Sequence, residues 1–78
     1  MNRIYIDMKA SELMEGDIVV IGDYDFRVAY NVKFPDLPVY SISFVCTRDD
    51  KQGLNHTWAL SGSEIFKVIH TEWSSYHD

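Results

Sequence analysis

The stretch Ala10-Ser-Glu-Leu-Met-Glu-Gly-Asp-Ile-Val-Val-Ile-Gly22 constrains this chain more than any other: a short turn, a Gly-Asp corner, then four apolar residues closed by a second glycine. Ser11 is placed to cap the turn and Gly16 supplies the backbone freedom to leave it. Ile18, Val19, Val20 and Ile21 then have the β-branched composition of a buried strand. Such a segment reads as the entrance to a small β-barrel. The chain has 78 residues, 46% of them hydrophobic, so it makes one domain whose core is built from side chains alone.

Around this segment the rest falls into short strands. Ile4 and Ile6 alternate with Tyr5 over Arg3 to Asp7, a half-buried first strand. Lys9 to Gly16 is expected to form one helical or 3₁₀ turn, and Asp17 to Ile21 the second strand. Gly22-Asp23-Tyr24-Asp25 marks a tight hairpin connection. In the third strand Phe26, Val28, Tyr30 and Val32 share one face and Arg27, Ala29 and Asn31 the other. Pro35 and Pro38 stop the ladder and hold Lys33 to Pro38 as a stiff loop. The fourth strand, Val39 to Thr47, turns Tyr40, Ile42, Phe44 and Cys46 to the core. After a charged turn over Arg48 to Gly53, the fifth strand groups Leu54, His56, Trp58 and Leu60. Ser61 to Glu64 reads as a second capped turn before a last strand, Ile65 to His70. The domain therefore spans residues 1–70, and 71–78 form a tail.

The formal charge is −5, from twelve acids against seven bases, and the bases are scattered. Without a basic face to displace counterions from phosphates, nucleic acid is not an expected partner. The acids Glu12, Glu15, Asp17, Asp23 and Asp25 occupy a window free of Lys and Arg, a solvated face or a carboxylate surface for a basic partner. The single cysteine excludes an internal disulfide framework and fits a reducing compartment, so a cytoplasmic location is expected. No apolar run approaches the roughly 20 residues that span a bilayer, and the N-terminus breaks off before a signal-peptide core.

No catalytic constellation stands out, and the chain reads as a non-enzyme without cofactor or metal. Cys46 and His56 fall on one face of adjacent strands, with His70 the other candidate base, but a cysteine among Ile42, Phe44 and Trp58 reads as an inert core residue. His56, His70 and His77, with Glu72 or Asp78, lack the short fixed spacing of a metal site. Asp17, Asp23 and Asp25 lack the order of a calcium loop. More informative are the aromatics left after the core faces are assigned: Tyr5, Tyr24, Phe34, Trp73 and Tyr76, with Leu37 beside Phe34. Exposed aromatics bury large area with little entropy loss at binding surfaces. The expected site is Tyr24, Phe34 and Leu37 with Asp23, Asp25 and Glu15 around them.

The Leu13-x-x-Gly16-Asp17-Ile18 opening, five or six short strands and a one-turn helix over Ser61 to Glu64 before the last strand resemble SH3-like barrels. That resemblance covers most of the chain and implies an all-β, partly open barrel of antiparallel strands with one-turn helical connections. The same opening occurs in KOW-type modules, which implies an alternative nucleic-acid role, although Asp23, Tyr24 and Asp25 stand where basic residues belong. In size, acidity and Ile/Asn/Tyr-rich style the chain is similar to small phage or mobile-element proteins that bind and inhibit a host protein. The likeness implies a non-catalytic protein-binding module acting on a host defence or nucleic-acid-processing protein with a basic surface, in the host cytoplasm. The short first and last strands leave edges that would also serve a homodimer.

Overall fold

The computed structural model describes residues 3–71. They form β1 (Arg3–Lys9), a 3₁₀ turn (Ala10–Glu12), β2 (Ile18–Ile21), β3 (Tyr24–Lys33), β4 (Val39–Cys46), a kinked 3₁₀ segment (Asp49–Leu54), β5 (His56–Ser61) and β6 (Ile65–Thr71). The six strands make one antiparallel sheet in the order β1-β6-β2-β3-β4-β5. The sheet is not closed, because β1 and β5 are its outer strands and do not pair with each other. This is the expected all-β, partly open architecture. The tail residues Glu72 to Asp78, including Trp73, Tyr76 and His77, lie outside the described residues.

The Leu-x-x-Gly-Asp opening works as a corner. Leu13 is buried, the Asp17 carboxylate accepts from the Met14 N–H at 2.8 Å, and Gly16 turns the chain at φ 95°. Gly16 N–H then donates to Val28 O, and Val28 N–H to Asp17 O, both at 2.8 Å, so the corner is stitched to β3. Ser11 does not cap the turn. Glu12 does, its carboxylate accepting from the Lys9 N–H at 2.8 Å, while Ser11 N–H donates to Gly62 O at 3.1 Å. With Ala10 N–H on Glu64 O at 2.7 Å, this draws the end of β1 onto the β5–β6 turn and brings the sheet margins together at that end.

Side chains on the inner face make the core: Ala10, Leu13, Val19, Phe26, Val28, Ile42, Phe44, Cys46 and Val68. Phe44 sits at its centre, with ring centroids of His56, Phe66 and Trp58 at 5.3, 5.6 and 5.8 Å. The expected core face of β4 is thus observed. In β2 only Val19 is fully buried, because a single sheet covers one face; Ile18 and Val20 point to the other and stay half-buried.

Three local expectations are corrected. Alternation in β3 breaks at a β-bulge: Val28 faces Phe44, Tyr30 faces Ser43, and Ala29 is the extra residue. Everything after it changes face, so Tyr30 and Val32 point outward and Asn31 points in. Leu54 does not join β5 but ends the 3₁₀ segment, half-exposed. Side chains intercept the ladder there: Asn55 Oδ1 accepts from Cys46 N–H at 2.7 Å, and Gln52 Nε2 donates to Cys46 O at 2.9 Å. Finally, Ser61 to Glu64 is a tight turn, closed by Glu64 N–H on Ser61 O at 3.1 Å, rather than a helical one.

Candidate functional site

The bulge at Ala29 gives β3 two different halves. Before it, Phe26 and Val28 are core; beyond it, the apolar residues Tyr30 and Val32 sit on the outer face, 44% and 57% exposed. The same register continues past the strand. Phe34 N–H donates to Val39 O at 2.8 Å, which puts Phe34 opposite Val39 and on the face of Val32. Phe34 and Leu37 are themselves 38% and 52% exposed.

The loop carrying them is held, not free. Lys33 Nζ donates to Phe34 O at 3.1 Å, Gly62 N–H to Pro38 O at 3.0 Å, and both prolines fix φ. It therefore presents Phe34 and Leu37 outward instead of folding them into the barrel end. Across β4 and β5 the rows are Tyr30, Ser43, Thr57 and then Val32, Ser41, Ala59. Small neighbours leave the aromatic and branched side chains standing above a low surface. Tyr30, Val32 and Phe34 make one apolar row on the outer face, with exposed Leu37 in the loop beyond it, an arrangement of the kind that marks interaction surfaces.

The expected site residues do not all gather there. Phe34 and Leu37 belong to the stripe, but Tyr24 begins the same strand that Phe34 follows, about 30 Å away at one strand rise per residue. Tyr24 packs partly against the core, and the Arg48 guanidinium lies over its ring at 5.9 Å. The Asp50 carboxylate, through its hydrogen bonds first and its charge second, raises the Arg48 pKa further. Asp23 and Asp25 stay with Tyr24 in the β2–β3 hairpin, where Asp25 O accepts from Thr47 N–H at 3.0 Å. Glu15 sits apart, exposed in the β1–β2 corner. The acidic window is thus dispersed, with Glu12 and Asp17 used as caps. Tyr30 and Val32 were missed because their alternation is indistinguishable from that of a core strand. The one available signal was Asn31, whose Nδ2 finds two backbone carbonyls while its buried Oδ1 has no partner among the described residues.

Cys46 and His56 do share the inner face, as expected. Cys46 is 3% exposed, and the His56 imidazole lies between Phe26 and Trp58, with centroids at 5.3 and 4.3 Å. Its Nδ1 bonds Leu54 O at 2.8 Å, which makes Nδ1 the donor and leaves Nε2 without a partner among the described residues. The ring is committed to the backbone, and no hydrogen bond joins it to the sulfur. Among the described residues no three His, Cys, Asp or Glu side chains gather as metal ligands, and no helix is long and apolar enough to cross a membrane. Compared with protein families, curated proteins and solved structures, the chain matches none.

Proposed function

We propose that this chain is a non-catalytic protein-binding module that docks through Tyr30, Val32, Phe34 and Leu37. The observation that carries the reading is the row of Tyr30, Val32 and Phe34 on the outer face of the sheet, with exposed Leu37 in the loop beyond. Large side chains held in place lose little entropy on binding, and a partner pocket that accepts Phe34 would gain most of the energy at one or two residues. The net charge of −5 favours a partner with a basic surround, which speeds encounter and sets specificity. In its finer form, the partner is a host protein that a small phage- or mobile-element-encoded inhibitor would engage.

The test is a comparison of captures from nuclease-treated lysate. The wild-type domain, a Val32→Asp, Phe34→Asp variant and an Ile65→Asp control at an exposed position of β6 outside the stripe are tagged and read by mass spectrometry. The reading requires a protein retained by the wild type and the control but lost by the stripe variant. A partner that survives the stripe variant refutes the site, and retention that depends on nucleic acid refutes the class.

Homodimerisation is a second reading, favoured by the outer edges of β1 and β5, which pair with no further strand among the described residues. Sedimentation that shows only monomer at high concentration removes it.

A further inference from the structure

At the end where the sheet margins meet, a pocket of about 320 Å³ opens between the β1 turn, the β3–β4 loop and the β5–β6 turn. Two lysines, Lys9 and Lys33, and three serines, Ser11, Ser61 and Ser63, line it, with Tyr40, Pro38 and Gly62 completing the walls. Two of the chain's seven bases line it and none of its twelve acids does.

The cations are available. Among the described residues neither Lys9 nor Lys33 forms an ion pair. Lys33 Nζ spends one donor on Phe34 O and keeps two. The nearby Glu12 carboxylate is engaged by the Lys9 backbone N–H. Ser61 and Ser63 share a hydroxyl–hydroxyl bond at 2.9 Å, which holds both side chains together, and Ser11 Oγ has no hydrogen-bond partner among the described residues. The space is also maintained by the backbone. A Cβ at Gly62 would lie 2.7 Å from Tyr40 Cε1 and 3.3 Å from Ser11 Cβ, pushing into two of the walls.

We infer that this pocket binds a small phosphate monoester, its dianion held by Lys9, Lys33 and the serine hydroxyls and its organic part resting on Tyr40 and Pro38. Paired lysines act as point charges on phosphate, hydroxyls supply directed donors, and the Tyr40 ring and Pro38 offer the apolar contact that free phosphate would not use. The volume is at the small end for ligand pockets, which limits the organic part to about the size of one sugar. Lys33 and Tyr40 face the inner side of the sheet, opposite Val32, so the pocket and the docking stripe lie on opposite faces.

Titration of the ¹⁵N-labelled protein with ribose 5-phosphate, inorganic phosphate and ribose tests the inference by NMR. Saturating shifts of the Ser11, Gly62 and Ser63 amides are expected with ribose 5-phosphate, weaker ones with inorganic phosphate and none with ribose. Lys9→Ala and Lys33→Ala should each weaken binding about tenfold, while Lys67→Ala leaves it unchanged. Both lysines are exposed, and because Lys33 Nζ also bonds Phe34 O, the amides of β2 and of Phe34 are followed in each variant as the check that fold and loop persist. Silent pocket amides, equal shifts with ribose, or unchanged affinity in the Lys9→Ala, Lys33→Ala double variant would overturn it.

Discussion

Asn31 stands opposite Ile42 across the β3–β4 ladder, on the inner face where an unbroken strand would have put an apolar side chain. Its Nδ2 donates to Ala10 O at 2.8 Å and Leu13 O at 2.9 Å, so one amide ties the β1–β2 connection to β3. Ala10 O also accepts from Leu13 N–H at 3.3 Å, so Asn31 adds a second bond there and supplies the partner of Leu13 O. The inward turn of this residue is also what sends Tyr30 and Val32 out. Core and candidate site are therefore coupled through a single bulge.

Replacing Asn31 with leucine should remove both bonds, leaving Leu13 O without its partner and Ala10 O with only the 3.3 Å bond from Leu13 N–H. Unfolding in urea is expected to show a loss of about 2–3 kcal/mol. A loss within about 0.5 kcal/mol would mean that water takes over both carbonyls at no cost.

The two faces of the β3–β4 pair should respond differently to truncation. Phe44→Ala removes a fully buried ring at the centre of the aromatic cluster and should cost about 3–5 kcal/mol. Val32→Ala removes an exposed side chain of a strand and should stay within about 0.5–1 kcal/mol. Thermal denaturation of the two variants side by side checks the face assignment, and comparable losses would contradict it.

How much of this was legible in the chain depends on what set each feature. Strand boundaries at Gly22, Pro35 and Pro38 follow from backbone chemistry local to those residues, and the core face of β4 follows from alternation through Tyr40, Ile42, Phe44 and Cys46. The bulge has no local signature, because its cause is remote: the Asp17 and Gly16 backbone groups engage Val28 on one side while Asn31 reaches Ala10 and Leu13 on the other. The same holds for Leu54, displaced from β5 by the side chains of Gln52 and Asn55. Half of the candidate site, Phe34 and Leu37, was readable from the proline loop. The other half waited on a register shift.

Asn55 offers a test of the second of these interceptions. Asn55→Ala frees the Cys46 N–H and loosens the end of β4, at an expected cost of about 1–2 kcal/mol. Hydrogen exchange should accelerate at the Cys46 amide while the Val19 and Val28 amides keep their protection. Unchanged exchange at Cys46 would show that its amide is sheltered by something other than Asn55.

Gly62 should tolerate no side chain while Tyr40 stays in place. Gly62→Ala is expected to lower stability by about 1–3 kcal/mol from overpacking against the Tyr40 ring. Adding Tyr40→Ala should make the effect of the second substitution smaller than its sum, a coupling that a double-mutant cycle reads directly. Strict additivity would place the strain elsewhere.

The most direct test of the account is a photo-reactive phenylalanine analogue placed at position 32 and, in a second protein, at position 65, both irradiated in cells. The stripe reading predicts a discrete crosslinked protein from position 32 that is absent from position 65. A specific adduct from position 65 with none from position 32 would contradict it.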